Sequence, residues 1–144
     1  MTKARVLVVD DSATIRQLLR EVLGSDSELD VAGVAPNGRV ALNMLGRLSP
    51  DLVTLDLEMP DLDGMETLKC IRDTHPYLPV VVFSGKSERE IEKVLSHLRV
   101  GVHDFVVKPT GVGNPNGARQ FIREQLIPRI KTLCGIKSAL PVLK

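Results

Sequence analysis

Asp10, Asp11, Asp56, Ser84 and Lys108 stand at the ends of short apolar runs, the positions from which side chains can converge on one rim. Three neighbouring carboxylates repel one another and raise each other's pKa values if left alone. A hard divalent cation relieves this, because Mg²⁺ takes a few carboxylate oxygens together with waters and a phosphate ligand. Lys108 adds a point charge able to hold a phosphoryl oxygen, and Ser84 a hydroxyl able to donate to another. Together they read as a phosphoryl site whose cations neutralise charge on the equatorial oxygens. One carboxylate can then attack phosphorus and become an aspartyl phosphate. Asp56 is the candidate nucleophile, because its run, Leu52–Leu57, belongs in the middle of a sheet. Asp10 and Asp11 are the candidate metal ligands, since adjacent residues at a strand end present one direct and one water-mediated contact.

The stretch TLDLEMPDLDG (54–64) holds Glu58, Asp61 and Asp63 besides Asp56. Asp61 and Asp63 suit the turn before Gly64, where Asp side chains bond nearby backbone groups. Gly85, after Ser84, leaves the site open for want of a side chain. Glu58 and Lys86, each two residues beyond a site residue, are candidates to flank the mouth, pair loosely across it and control water access.

The elements that must position these groups alternate. Apolar β-branched runs at Val6–Val9, Val31–Val34, Leu52–Leu57, Val80–Phe83 and Phe105–Val107 read as strands. Between them, Ile15/Leu18/Leu19/Val22, Ala41/Met44/Leu45/Leu48, Met65/Leu68/Ile71 and Ile91/Val94/Leu95/Leu98 recur at helical spacing. Ser12 suits an N-cap and Gly24 a helix stop. Strands alternating with helices predict an α/β fold, an open doubly wound parallel sheet covered on both faces. Ligands of such sheets bind outside the carboxyl ends of the strands, which is where the five chemical residues fall. Thr110–Gly117, TGVGNPNG, reads as a loop. The last helix, with Ile122, Leu126, Ile130 and Leu133 on one stripe, must kink near Glu124–Pro128 or restart at Pro128. Gly135 ends it.

A chain of 144 residues with 43% hydrophobic and 26% charged residues is expected to form one globular domain. Its net charge of +1 and three Phe, one Tyr and no Trp argue against nucleic acid as a partner. No apolar run approaches a signal-peptide core or a membrane span. Cys70 and Cys134 lack metal spacing and read as reduced thiols of a cytoplasmic protein. His75, His97 and His103 have no metal spacing either. Gly85-Lys86-Ser87 is half a Walker motif, since Val80 occupies the place of the required glycine.

VLVVDDS (6–12), LVTLDLEMPDLDG (52–64), VVVFSG (80–85) and DFVVKP (104–109) resemble, in order and spacing, the response-regulator receiver family. The resemblance implies a flavodoxin-like fold of five strands in order 2-1-3-4-5 with five helices. It implies Asp56 as phosphoacceptor for a partner histidine kinase and Mg²⁺ held by Asp10, Asp11, Asp56 and the backbone carbonyl of Glu58. It also implies Ser84 and Phe105 as switch residues, Lys108 as the site lysine, and a cis Lys108–Pro109 bond. The wording VLVVDDSATIRQLL, DFVVKPTG and QLIPRIK is similar to the regulatory domain of chemotaxis-specific protein-glutamate methylesterases. That likeness implies a receiver over 1–134, a chemotaxis kinase as phosphodonor, and a tail or linker from 135 to 144 leading to an output domain. No G-x-S-x-G elbow occurs, so no esterase chemistry is expected in these residues. The face of helix four, strand five and helix five, with Arg89, Lys93, Val94, His97 and Phe105, is the expected output surface. The alternatives are a stand-alone receiver acting by docking and an aspartyl-phosphate phosphatase. The latter pattern wants a second Asp where Glu58 stands.

Overall fold

The computed structural model describes residues 3–59, 63–98, 104–109 and 115–136, without the side chains of Val94, Leu95, His97, Leu98 and Pro115. Five parallel strands lie in the order β2-β1-β3-β4-β5, the order implied by the resemblance. They are β1 (Ala4–Val9), β2 (Leu29–Ala35), β3 (Leu52–Leu55), β4 (Val80–Ser84) and β5 (Asp104–Val107). Crossing between them are α1 (Ala13–Gly24), α2 (Gly38–Leu48), α3 (Gly64–Thr74) and α4 (Glu88–Leu98). The chain order runs from β1 outward to β2 and then back across to β3. The crevice at this reversal lies between the carboxyl ends of β1 and β3.

Strand side chains alternate between two cores, as the pleat demands. Val6, Val8, Val81, Phe83 and Val106 bury against Leu18, Leu19, Val22 and Leu23 of α1 and against Ile122, Leu126, Ile127 and Ile130 of the last helical run. On the other face Leu7, Val9, Val53 and Leu55 bury against Ala41 and Leu45 of α2 and Leu68 and Ile71 of α3. Each strand is therefore apolar almost throughout, because both of its faces are covered.

Ser12 caps α1, its Oγ accepting the N–H of Ile15. Gly24 is the last residue of that helix rather than a residue past its end; Ser25 closes it in ordinary right-handed geometry. The last helical run is α5 (Pro115–Phe121), a π-helical turn (Ile122–Leu126) and α6 (Ile127–Leu133). Pro128 falls in the first turn of α6, where its missing N–H costs nothing. The wider π turn absorbs the mismatch that proline would impose on a continuous helix. Gly135, at φ +79°, ends the run, and the N–H of Ile136 returns to the Lys131 carbonyl at 2.8 Å. Ile136 still packs on the core. Pro115–Gly117, expected in a loop, already belong to α5, since proline favours a helix's first turn; Thr110–Asn114 lie outside the described residues.

Candidate functional site

The ends of four strands supply the site. The N–H of Asp10 binds the Ala35 carbonyl, that of Asp56 the Val9 carbonyl, and that of Lys108 the Ser84 carbonyl, at 2.8–3.1 Å. Each site residue is thus the last one held by the sheet ladder. Beyond it the backbone leaves the sheet and the side chain turns upward. Strand β3 ends at Leu55, two residues short of the Leu57 expected from the apolar run. Leu57 instead packs with Val82 and Ile91, against which Phe105 and Val107 also pack.

Asp10 and Asp56 are buried and Asp11 is exposed, and one carboxylate oxygen from each lies within 4.8 Å of the others. Lys108 Nζ reaches Asp10 Oδ2 at 2.6 Å and Asp56 Oδ2 at 3.2 Å. The remaining oxygens are also engaged: Ser12 N–H donates to Asp10 Oδ1 at 2.9 Å, and Glu58 N–H to Asp56 Oδ1 at 3.0 Å. Burial pushes the Asp56 carboxyl up from 3.8 to about 6, although the Glu58 N–H and the Lys108 charge pull the other way; the charge of Asp10 adds to the rise. Burial alone would lower the Lys108 pKa. Its bonds and attraction to Asp10, and then Asp56, outweigh that and leave it raised.

Two of the three carboxylates therefore share one ammonium, and a single lysine cannot neutralise all three. All the donors are hard oxygens with lone pairs to spare, the set a divalent cation such as Mg²⁺ requires. The residues fit that ion.

Ser84 is fully buried at the end of β4, and its Oγ accepts the Lys86 N–H at 3.3 Å. Phe105 is half-buried beside the Leu57 cluster, in register with Val82. Gly85 is open: a Cβ there would meet only Glu58 Oε1, at 3.4 Å. No ion pair joins Glu58 and Lys86 among the described residues; Lys86 instead helps lower the pKa of Glu90, after that residue's bonds to Ser87. Asp63 caps α3 through the N–H of Glu66, as a turn acid should, whereas Asp61 lies outside the described residues. His75 caps the far end of α3, away from the acids. His103 and the side chain of His97 lie outside the described residues. The Lys108–Pro109 bond is trans, against the cis form implied by the resemblance. A trans proline that stops the strand is what the residues alone suggest.

Three contacts escaped the sequence reading. Phe83 presents its ring to Lys108 Nζ, 5.7 Å from the centroid, a cation–π support from inside the core. Arg16, one turn into α1, donates from Nη1 to the Asp10 carbonyl at 2.9 Å. Gly64 abuts the backbone of Asp56 and Leu57. The first two depend on directions no spacing reveals, whereas the glycine stands visibly at the end of the acidic stretch.

Fold and rim define an open α/β protein with its acids at the topological switch point. Comparison with known proteins makes the class specific: residues 6–114 match the response regulator receiver domain, and the chain belongs to that family. It is 42% identical over 140 residues to a protein-glutamate methylesterase/protein-glutamine glutaminase of Trichodesmium erythraeum, covering 97% of this chain and 40% of that protein. A protein of the same name from Nocardioides is 44% identical over 141 residues, covering 98% of this chain and 38% of its own length. The chain thus spans about two fifths of the curated relatives it matches. Among solved structures, the response regulator domain of Thermotoga maritima CheB superposes with a TM-score of 0.74 at 34% identity, covering 99% of both chains. Vibrio cholerae CheY4 gives 0.68 at 28% identity, covering 87% of this chain and all of that one. Among the described residues no helix is long and apolar enough to cross a membrane.

Proposed function

We propose that this chain is the regulatory receiver domain of a chemotaxis protein-glutamate methylesterase, switched by phosphorylation of Asp56. The observation that carries the reading is the rim itself: three carboxylates cluster together, one lysine grips two of them, and burial pushes Asp56 up to about 6. A site that must accept a phosphoryl group and a divalent cation is arranged in this way.

The donor is a phosphohistidine on a sensor kinase of the chemotaxis type. An Asp56 oxygen attacks phosphorus; the P–N bond breaks, the new P–O bond makes an acyl phosphate, and the released imidazole takes up a proton. Asp10, Asp11, Asp56 and the Glu58 carbonyl would hold Mg²⁺, which when bound supplies positive charge to the phosphoryl oxygens. Lys108 is already poised beside Asp56 and transfers its contact to the incoming phosphate. Ser84 turns toward the acyl phosphate, and Phe105 follows through the Leu57–Val82–Ile91 cluster, altering the face of α4, β5 and α5. Residues 1–134 form the receiver, and 135–144 begin the linker to the output domain. Glu58 and Lys86, unpaired with each other, act separately on water access, with Gly85 leaving the mouth open. The protein is cytoplasmic in this reading.

Incubation with Mg²⁺ and acetyl phosphate, followed by intact mass, tests the proposal. A gain of one phosphoryl group that disappears in Asp56→Asn supports it. No gain, or a gain that persists in the variant, counts against it.

A further inference from the structure

We infer that Gly64 is a positioning residue for the phosphoryl site, acting through the Asp56–Glu58 backbone. This rests on the reading of Asp56 given above. Gly64 is the first residue of α3, buried, directly after the cap Asp63. A Cβ built on it would lie 2.4 Å from Leu57 Cα, 2.5 Å from the Asp56 carbonyl oxygen and 3.1 Å from the Asp56 carbonyl carbon. All three atoms are backbone, so no rotamer change relieves the overlap. Asp56 and Leu57 must move, or the start of α3 must.

The chain leaves β3 at Leu55 and closes on itself where Gly64 meets Asp56. Leu57 is held on one side by Val82 and Ile91, and Met59 is buried in the other core. The α3 start is held by Thr67, whose Oγ1 donates to the Asp63 carbonyl at 2.7 Å, and by the Asp63 cap. With the start of α3 anchored, displacement falls on the Asp56–Glu58 backbone against which the Cβ would press. That backbone carries the Asp56 carboxylate, its 3.0 Å bond from the Glu58 N–H, and its 3.2 Å contact with Lys108. A shift of a fraction of an ångström there separates Asp56 from Asp10 and Asp11, and misplacements on the order of 1 Å cost about a hundredfold in positioned chemistry.

Backbone conformation does not explain the glycine, because its φ lies outside the left-handed range. A helix position of ordinary geometry gains from alanine. Gly46 in α2 is the control: it is exposed and a Cβ there meets nothing within 4 Å, as is also true of Gly24.

The test uses the whole chain as Gly64→Ala and Gly46→Ala, and Gly64→Ala also in a Gly24→Ala/Gly46→Ala background to offset lost stability. Amide NMR spectra without metal, calorimetric titration with Mg²⁺ alone and the acetyl phosphate rate at saturating donor are recorded for each. Gly64→Ala should keep the cooperative melt, shift amide signals around Asp56–Glu58, Asp10 and Lys108, weaken Mg²⁺ at least tenfold and slow saturated phosphorylation. Gly46→Ala should match the parent in all three. Parental Mg²⁺ affinity and unshifted site amides in Gly64→Ala would overturn the inference, as would global unfolding even in the stabilised background, since the effect would then not be local to the acids. If the parent itself fails to bind Mg²⁺ or take phosphate, the functional reading falls, while the metal-free amide shifts still decide the role of Gly64.

Discussion

Among the described residues two lysines each grip two carboxylates, and only one of the clusters has a third acid beside it. Lys131 on α6 meets Asp26 and Glu28, in the connection from α1 to β2, both at 2.9 Å. Burial would lower its pKa, but the bonds to Glu28 and Asp26 more than compensate and raise it. Lys108 meets Asp10 and Asp56 in the same two-to-one manner. The difference is a third acid, Asp11, and the depth of Asp10 and Asp56. The Lys131 acids remain partly exposed at the surface, so water completes their solvation. At Lys108 the two gripped acids are buried, Asp11 lies beside them, and burial raises the Asp56 pKa. One cluster fastens the last helix to the body; the other leaves a carboxylate beyond those its lysine grips.

The largest effect that sharpens this contrast is Lys108→Met. Removing one side of a buried pair costs about 3 kcal/mol, read by urea unfolding without metal near pH 8. Asp56 already titrates near 6 and rises further without its lysine, so acidification neutralises it and the loss shrinks toward pH 5. An equal loss at both pH values would break the account.

Asp56→Asn, without metal, should gain about 1–2 kcal/mol at neutral pH, because an under-compensated buried charge is removed. The sign follows from the raised pKa. The cost of charged Asp56 is fully present above about 6 and fades as pH falls toward 3.8, so the gain should fade over the same window. Adding Mg²⁺ should raise the melting temperature of the parent and barely move that of the variant.

Lys131→Met should cost about 1 kcal/mol, sensitive to salt, and leave phosphoryl uptake unchanged. Its raised pKa keeps that contribution fully present below 10.5, so the loss stays flat from mildly acidic to mildly basic pH. Smallest is the exposed pair of Arg119 with Glu21 at 3.1 Å. Arg119→Ala should change stability by less than about 0.5 kcal/mol.

The sheet and the rim were legible because they rest on periodicity. Double-faced strands announce themselves as unbroken apolar runs, and acids, serine and lysine at their ends fall on one side of a parallel sheet by necessity. Less legible was what depends on distance in space. Nothing local announces that Lys131 meets Glu28 across 103 residues, or that Arg16 reaches the Asp10 carbonyl. The pairing expected of Glu58 with Lys86 failed because spacing two residues beyond a site says nothing of side-chain direction. Pro128 left two options open in the sequence, and the structure takes the second: after a π turn a new α-helix starts at Ile127, just before the proline. Gly64 looks in sequence like the close of a turn, and only the fold puts the Asp56 carbonyl against it.

The central claim is that the excess charge around Lys108 makes Asp56 the residue that takes the phosphoryl group. Borohydride reduction converts an acyl phosphate on aspartate to homoserine, so reduction after acetyl phosphate treatment, followed by peptide mass mapping, reads the position directly. Homoserine at 56 alone, dependent on Mg²⁺ and absent in Lys108→Met, is the predicted result. Homoserine at 10 or 11, or at none of the three acids, would contradict it.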